Sequence, residues 1–567
     1  MTPIDRVYPE FREVHPLGVG GRIPRDVTRT PIDRVATEHA GGYSIRFDGR
    51  QLRATAGDDD GEASARSVLR QLAACEGEPC PAFESKDWPR FATRGFMLDI
   101  SRNRVPTRET LFELVRVLSS LRMNHLQLYT EHTFAYEGHE SIWRDASPTT
   151  PGDIRELESY CRGFGIELAA NQNCFGHLSE WLRDPAYSHL AETHGLYDFY
   201  GITREGPFSL CPIDARCLDL VRDWIGQLRG CFATAQLNIG CDETADVGAG
   251  RSKRAIEHRG RSAVYAEFVS SIAAIAEDHG FSPMFWADIA LESPEVLEQL
   301  PRGLKPLAWG YEPDSPFDAW AETLVAAERR GWVCPGTSCW RSFGGRTTER
   351  RATLDAAARS TDAFDGMLLT AWGDVGHQQQ WPVTLHALAD GAHAAWHGAA
   401  NTDPARASRA VFGSPELGPW LDQLGDADGD LRSPSAKRHD ADEEPKLRNA
   451  SALFNEVYPA NTSLPRRGTS AQWRDCLDRF VSLAGSRPCV DTILDDELRW
   501  TVRMSELACR IALCRRSGVA DDAIPIDLAR SRDDFSRLWT QRSRPGGLDR
   551  TIGLFNGLIE SLTGDAS

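Results

Sequence analysis

Between about residues 94 and 400 the chain alternates short apolar runs with longer amphipathic segments. The amphipathic segments, such as TRETLFELVRVLSSL, repeat their apolar residues every three or four positions and predict helices. The apolar runs predict buried strands, and there are eight of them, at residues 95–101, 124–131, 166–173, 236–243, 282–289, 305–312, 331–338 and 366–373. Eight strand–helix units over about 300 residues are typical of a (β/α)8 TIM barrel.

A doubly wound open sheet is the alternative to this barrel. Such a sheet usually has fewer strands and carries a glycine-rich phosphate-binding turn after the first one. Neither GxGxxG nor GxxxxGK[ST] follows any of the predicted strands. The pattern therefore favours the closed barrel.

The segments on either side of the barrel have a different character. Residues 1–90 contain two strand patterns, YSIRF and RQLRATA, and one helical pattern, ASARSVLRQLAAC, which predict a small α/β domain. The predicted barrel domain spans 91–400, and residues 401–567 have mainly helical patterns. A charged run at 426–446 predicts an exposed loop within this C-terminal domain.

The composition of the chain argues against several classes of protein. Hydrophobic residues make up 41% and charged residues 26% of the 567 residues, as in a globular protein. No apolar run approaches a membrane span, and the polar N-terminal segment does not resemble a secretory signal, so we expect a cytoplasmic protein. A net charge of −18 argues against nucleic acid and anionic membranes as partners. The fourteen cysteines form no CxxC pair and are expected to be buried free thiols.

The predicted strands end in residues suited to binding a sugar. In a TIM barrel the active site lies at the carboxyl ends of the strands. Aromatic faces stack on the C–H surface of a pyranose, while carboxylates and arginine bind its hydroxyls. The strand-end residues are Asp99 and Arg102; Glu131 and His132; Asn171, Asn173 and His177; Asp242 and Glu243; Trp286 and Asp288; Trp309, Tyr311 and Glu312; Trp340; and Trp372, Asp374 and His377.

The motif IGCDET at 239–244 is the most informative of these strand ends. Alternation along a strand would point Asp242 and Glu243 to opposite faces. Both side chains reach one pocket only if the strand ends near Gly240, and a glycine permits that break. Two adjacent carboxylates can then divide acid and base roles, provided that their pKa values are pushed apart.

Several motifs, in order along the barrel, resemble glycoside hydrolase family 20, the β-N-acetylhexosaminidases. They are RGFMLDISR (94–102), FGH (175–177), IGCDET (239–244), WGD (372–374) and WP (381–382). The N-terminal piece is similar to the small α/β domain that precedes the barrel in many members. YTEHTFAYEGHE and PGTSCW resemble the intracellular, exo-acting branch, which carries a helical C-terminal domain.

The resemblance implies an exo-acting, retaining β-N-acetylhexosaminidase that releases terminal GlcNAc or GalNAc. The 2-acetamido oxygen of the sugar would attack the anomeric carbon, Asp242 would stabilise the oxazolinium ion, and Glu243 would act as general acid and base. His177, backed by Glu131, would tune Glu243. The implied partner is a small-molecule glycan, with no cofactor and no metal, and the oligomeric state is left open, a homodimer included.

The resemblance also implies substrate-binding residues. Arg102 would grip hydroxyls of the terminal sugar and Asp374 would bind outer hydroxyls. Tyr311 is the candidate for contact with the acetamido oxygen. The residues expected to wall the acetamido pocket are Trp286, Trp309, Trp340 and Trp372.

This sequence departs from the family pattern at three strand ends. The third strand ends in NQNCFGH, where the family often has an acidic run, so no acidic role is expected of Asn171 or Asn173. Glu131 stands where the family has aspartate, and Asp374 where glutamate is common.

Other interpretations stay open. One is a two-carboxylate glycosidase without acetamido specificity, pairing Glu243 with Glu312 or Asp288. Another is a sugar-binding barrel that does not hydrolyse its ligand. Arg102 would have a purely structural role if it only bridged Asp99.

A metal site is a further alternative. It would be built from His125, His132 and His139, and it requires the loop after the second strand to fold back on itself.

Overall fold

The N-terminal region is a five-stranded sheet with one helix packed on it. The computed structural model describes residues 2–102, 104–360, 363–432, 447–459 and 467–564. The first elements are β1 (Glu13–Arg22), β2 (Ile32–Arg34), β3 (Tyr43–Phe47), β4 (Leu52–Ala56), α1 (Asp59–Ala73) and β5 (Pro79–Asp87). The strand order is β1-β5-β3-β4-β2, and only β2 and β4 pair in parallel. Alternate residues of β3 and β4 are buried beneath α1, as expected for a sheet with one covered face.

Eight parallel strands then close into a barrel. They are β6 (Thr93–Asp99), β7 (His125–Tyr129), β8 (Glu167–Asn171), β11 (Gln236–Asn238), β12 (Ser282–Trp286), β13 (Lys305–Gly310), β14 (Gly331–Pro335) and β15 (Phe364–Ala371). A two-stranded hairpin of β9 (Leu196–Phe199) and β10 (Ile202–Glu205) follows β8. The barrel closes through β15, which pairs in parallel with β6.

Helices surround the barrel and cover its apolar strands. They are α2 (Arg108–Ser120), α3 (Glu140–Trp143), α4 (Pro151–Arg162), α5 (Ser179–Leu182), α6 (Ala215–Arg229), α7 (Lys253–Arg259), α8 (Arg261–Asp278), α9 (Asp288–Glu292), α10 (Pro294–Gln299), α11 (Phe317–Ala326), α12 (Thr347–Arg359) and α13 (Trp381–His397). Local signals fix their ends: α4 begins with a capping box between Thr150 and Asp153 and has proline at its first position.

The C-terminal region consists of helices with their own apolar core. They are α14 (Pro404–Phe412), α15 (Leu417–Asp426), α16 (Ala452–Val457), α17 (Ser470–Gly485), α18 (Thr492–Ser517), α19 (Ala523–Arg542) and α20 (Leu548–Thr563). Five 3-10 turns complete the described elements, at Ile4–Arg6, Val27–Arg29, Arg144–Ala146, Ser188–Leu190 and Gly429–Leu431. From residue 433 onward the predicted charged loop lies outside the described residues.

The predicted fold class is confirmed. All eight predicted barrel strands are present, the N-terminal region is α/β, and the described C-terminal residues form helices. The domain boundaries at 90/91 and 400/401 stay predictions. Twelve of the fourteen cysteines are buried, while Cys489 is exposed and Cys514 half-buried. Within the described residues no helix is long and apolar enough to cross a bilayer, and the cytoplasmic location stays a prediction.

Candidate active site

The chain turns sharply where β11 ends, and this turn brings two carboxylates together. The strand ends at Asn238, and Gly240 follows in the left-handed region with φ +69°. A β-carbon on Gly240 would lie 2.4 Å from Asn173 Oδ1, so only glycine fits this turn. Cys241 and Glu243 also have positive φ, 77° and 49°. Such strain in non-glycine residues is concentrated at functional sites.

Asp242 and Glu243 converge on one histidine. His177 Nε2 lies 3.3 Å from Asp242 Oδ2 and 3.4 Å from Glu243 Oε2. Burial alone would lower the pKa of His177, but the charge of Asp242 and contacts with both carboxylates raise it to about 10. Burial likewise opposes the charge of Asp242, yet His177 and a hydrogen bond from Asn173 bring its pKa below the usual value. Asp242 is therefore a carboxylate at neutral pH.

Asn173 fixes the position of Asp242. Its Nδ2 donates a 2.9 Å hydrogen bond to Asp242 Oδ1, and its Oδ1 accepts from the main-chain N–H of Cys241 at 3.2 Å. The side chain is fully buried. The sequence placed Asn173 at a strand end without assigning it a role; the structure shows that it orients the adjacent acidic motif.

Asp288 supports the backbone of Glu243. Its Oδ2 accepts a hydrogen bond from the Glu243 N–H at 3.1 Å, and its Oδ1 is buried without a hydrogen-bond partner among the described residues. Burial, followed by the charges of Asp242 and Glu243, raises the pKa of Asp288 well above its usual value. Asp288 is thus suited to a protonated state in which it holds the strained turn.

Arg102 links three of the predicted site residues. Its Nη1 lies 3.3 Å from both Asp99 Oδ2 and Glu131 Oε1, and its Nη2 lies 3.3 Å from His177 Nδ1. Burial acts to lower the pKa of Arg102, but Glu131 and the other surrounding acidic groups raise it well above the usual value. Arg102 therefore does more than bridge Asp99, and its side chain keeps 21% exposure.

The aromatic residues that follow the strands form one cluster. Its members include Trp286, Trp309, Tyr311, Trp340 and Trp372, all named by the sequence analysis. Trp309 stacks on Tyr311 with ring centroids 5.1 Å apart, and Trp372 Nε1 donates a 2.7 Å hydrogen bond to the Tyr311 hydroxyl. Trp286 and Trp340 are almost fully buried within this aromatic wall. The guanidinium of Arg102 lies 5.0 Å from the Trp372 ring centroid, which joins the wall to the charged cluster.

Asp374 follows Trp372 by two residues and is half-buried. Burial raises the pKa of Asp374, while Arg102 and Arg341 act to lower it. The sequence analysis did not identify Arg341, although it follows Trp340 directly. An arginine next to a strand-end tryptophan was the available signal.

The geometry does not support Glu312 as a second catalytic carboxylate paired with Glu243. Glu312 accepts hydrogen bonds from Arg346 at 3.0 Å and from the main-chain N–H of Asn449 at 2.7 Å, so it holds the C-terminal region.

The proposed histidine metal site is also not assembled. His125 lies 3.0 Å from Gln127 within the barrel, whereas His139 lies 2.7 Å from Asp223 on α6. Among the described residues the groups with metal-ligand geometry do not include either histidine, nor His132.

The hairpin β9–β10 covers one side of the site. Phe208 packs against His177 with ring centroids 4.8 Å apart, and Tyr197 and Phe199 of the hairpin pack on Phe208 at 6.2 and 5.7 Å. Tyr200, at the tip, is 60% exposed. Burial, followed by the charges of Asp288 and Glu243, raises the pKa of Tyr200.

Comparisons with known proteins agree with this arrangement. Residues 91–310 match the model of the glycosyl hydrolase family 20 catalytic domain. Human hexosaminidase D is 25% identical over 295 residues, which cover 48% of this chain and 58% of the human protein. The bovine hexosaminidase D is 23% identical over 319 residues, covering 51% of this chain and 88% of that protein. The chain thus spans less than two thirds of the human relative.

Solved structures share the fold. A chitobiase from Flavobacterium johnsoniae superposes with a TM-score of 0.57 at 13% identity, covering 98% of this chain and 99% of the other. A family 20 exo-β-N-acetylglucosaminidase from Vibrio harveyi gives 0.56 at 14% identity, covering 70% and 74%. At 13% and 14% sequence identity, the similarity to these structures shows a shared fold and no more. Together with the converging Asp242 and Glu243, the family match leads to one conclusion: residues 91–310 of this chain resemble the catalytic domain of glycosyl hydrolase family 20.

Proposed function

We propose that this chain is an exo-acting, retaining β-N-acetylhexosaminidase that works by substrate-assisted catalysis. One observation carries the proposal. Asp242 and Glu243 meet at His177, and Asp242 is held as a buried carboxylate by Asn173. A buried negative charge beside an acid suits a reaction in which positive charge develops on a neighbouring group of the substrate.

In the first step the acetamido carbonyl oxygen of the terminal sugar attacks the anomeric carbon. The bond from that carbon to the leaving oxygen breaks, and Glu243 gives its proton to the departing oxygen. Asp242 accepts a hydrogen bond from the acetamido N–H and stabilises the cyclic oxazolinium ion. This route is an exception to the usual pair of catalytic carboxylates in glycosidases.

In the second step water opens the ring. Glu243, now a carboxylate, takes a proton from the water as its oxygen attacks the anomeric carbon from the face that the leaving group vacated. Two inversions give net retention. The Glu243 side chain is 26% exposed and can exchange with solvent, whereas the Asp242 side chain is 8% exposed and is protected from it.

The remaining residues fit the recognition of one terminal sugar. Arg102, joined to Glu131, offers a fixed planar donor for vicinal hydroxyls. Asp374 offers an acceptor at the edge of the pocket, and Tyr311 with Trp372 offers a polar and aromatic wall. The proposed partner is a small-molecule glycan ending in GlcNAc or GalNAc, and the proposed reaction needs no cofactor.

The two-carboxylate alternative has less support. Asp288 is bonded to the main chain of Glu243 and is suited to a protonated state, which is unfavourable for a nucleophile. Glu312 is engaged by Arg346. A protein that only binds sugars would also have no need of a histidine between two carboxylates.

A substrate panel tests the proposal. Matched chromogenic β-GlcNAc, β-GalNAc and β-glucose substrates are compared, with Glu243→Gln as the inactive control. We expect turnover of at least one N-acetyl substrate and essentially none of the glucoside, because only the former carry the internal nucleophile. Glu243→Gln should lose most turnover on poor leaving groups and less on activated aryl groups, which need little protonation. Comparable turnover of the glucoside would exclude the proposal.

A further inference from the structure

Two histidines of α13 and one glutamate of the N-terminal segment form a cluster far from the active site. His393 and His397 lie one helical turn apart, with ring centroids 4.6 Å apart. Glu10 crosses this end of the helix and brings its Oε1 to 3.1 Å from His393 Nε2. One ligand atom from each residue lies within 4.8 Å of the others. Glu10 and His393 are 383 positions apart, so sequence spacing gave no sign of this cluster.

Hydrogen bonds assign the ring nitrogens of the histidines. His393 Nδ1 lies 2.9 Å from the Ala399 carbonyl oxygen and must donate to it. In the neutral ring, Nε2 of His393 then presents a lone pair to the Glu10 carboxylate. Two acceptors at 3.1 Å require either a proton or a cation between them. His397 Nε2 similarly lies 3.1 Å from the Glu10 carbonyl oxygen and donates to it, which leaves Nδ1 as the lone-pair nitrogen.

This pattern is the one that metal-binding histidines adopt. Such histidines usually donate their second ring N–H to a carbonyl or carboxylate, which fixes ring orientation and raises the basicity of the ligating nitrogen. A further observation points to a ligand: Glu10 Oε2 is buried and has no hydrogen-bond partner among the described residues. In addition, α13 ends at His397, and the C-terminal end of a helix favours positive charge.

We propose that Glu10, His393 and His397 bind one divalent transition-metal ion of the zinc class. Two imidazole nitrogens and a carboxylate oxygen are ligands that Zn²⁺ accepts in tetrahedral sites, with water completing the coordination. Two arginines lie close by: Arg122 donates to the Pro9 carbonyl, and Arg12 donates to the Trp396 carbonyl. Their positive charge opposes any divalent cation, so the preference for Zn²⁺ rests on the two imidazole nitrogens, whereas Mg²⁺ and Ca²⁺ prefer oxygen ligands.

The position of the Glu10, His393 and His397 cluster in the barrel gives the proposed ion a structural rather than a catalytic role. The main-chain N–H groups of Arg90 and Phe91, just before β6, donate to the carbonyls of Trp396 and Ala395. The cluster therefore lies at the amino ends of the barrel strands, on the face opposite the active site, where TIM barrels are stabilised rather than catalytic. The ion would join the N-terminal segment to the last barrel helix. The Glu10 side chain is 36% exposed, which leaves a path for metal entry.

Metal titration of the chelator-treated full chain tests the proposal. Isothermal titration calorimetry with Zn²⁺ and with Mg²⁺ is combined with thermal unfolding of the wild type, Glu10→Gln and His397→Gln. His258→Gln, an exposed histidine on α7, is the matched control. We expect a wild-type Zn²⁺ site that raises the melting temperature and no comparable site for Mg²⁺. Each ligand variant should bind Zn²⁺ at least about tenfold more weakly, with His258→Gln unchanged.

Three outcomes would overturn the proposal. Absence of Zn²⁺ binding by the folded wild type would show that a proton alone joins Glu10 and His393. Equal Zn²⁺ affinity in the wild type and in both ligand variants would place the metal elsewhere. Binding lost in Asp242→Asn but kept in His397→Gln would assign the ion to the active site. Circular dichroism of each variant establishes that it is folded before titration.

Discussion

Asp242 shows how neighbouring residues set the charge of a buried group. Burial alone would favour the neutral acid. The charge of His177 and the 2.9 Å hydrogen bond from Asn173 reverse this effect and lower the pKa of Asp242. The negative charge that the proposed mechanism requires therefore depends on residues that contact no reacting atom.

Replacement of Asn173 by alanine tests this dependence. Asp242 loses a donor that favours its charged form, so its pKa should rise, and the acid limb of the kcat/KM profile should move to higher pH. A hydrogen bond to a charged group contributes about 1.5–3 kcal/mol, which corresponds to about one to two pH units. Asn171→Ala is the control, because Asn171 is the last residue of β8, two positions before Asn173, but donates to Gln127 Oε1 at 2.9 Å. An unshifted profile in a folded Asn173→Ala variant would assign Asn173 a purely structural role.

The candidate site residues could largely be found from the sequence, because barrel topology brings strand ends together. Asp242, Arg102 and the tryptophans each follow an apolar run, and the structure places them in one region. The function of Asn173 could not be deduced, because its contact joins residues 69 positions apart through a turn with unusual backbone angles. The protonated state favoured for Asp288 likewise depends on burial that no local pattern reveals.

At the scale of elements, the hairpin β9–β10 was not predicted. The barrel strands are buried on both faces and therefore rich in apolar residues, which makes them easy to recognise in the sequence. The hairpin has only four residues in each strand, and β10 is exposed throughout, so it has no such signal. The fourth barrel strand was predicted to reach residue 243 but ends at Asn238, because the left-handed Gly240 breaks it.

The exposed tip of this hairpin is a candidate for contact with the leaving group. Tyr200 packs on Phe199, which reaches His177 through Phe208. Tyr200→Ala should therefore raise KM for substrates with a sugar leaving group, by about tenfold if a stacking contact of about 1.4 kcal/mol is lost. Small aryl leaving groups provide the control and should be hydrolysed as before. Equal changes on both substrates would show that the hairpin acts through the general shape of the site.

At the scale of the whole molecule, the C-terminal helices brace the loop after β15. Arg104 bonds Ser543 at 3.0 Å and donates to the carbonyls of His377 and Gln379. Gln379 in turn donates to the Trp372 carbonyl at 2.7 Å. The helical patterns in the sequence predicted helices in this region. The docking of these helices, however, depends on single polar contacts between distant residues, which hydrophobic periodicity does not reveal.

A buried ion pair anchors the same region and gives a stability prediction. Arg542 Nε lies 3.1 Å from Glu497 Oε1, whose side chain is fully buried, and Arg542 also reaches Glu113 on α2. Arg542→Ala should reduce the free energy of unfolding by about 3 kcal/mol, because it leaves a buried carboxylate without its main partner. Arg537→Ala, on the same helix but 48% exposed, should cost less than about 1 kcal/mol. Denaturant-induced unfolding measures the free energy of unfolding of both variants. Equal losses would show that the Arg542–Glu497 ion pair does not anchor this region.

In the proposed mechanism the acetamido group of the substrate, rather than a carboxylate of the protein, attacks the anomeric carbon. The most direct test combines inhibition by a thiazoline that mimics the oxazolinium ion with mass spectrometry after exposure to a 2-fluoro sugar lacking the acetamide. We expect the thiazoline to bind far more tightly than substrate and no covalent adduct to form. We also expect a rate loss on the order of 10²–10³ in Asp242→Asn. A covalent adduct on Asp288, Glu312 or any other carboxylate, without thiazoline inhibition, would contradict the proposed mechanism.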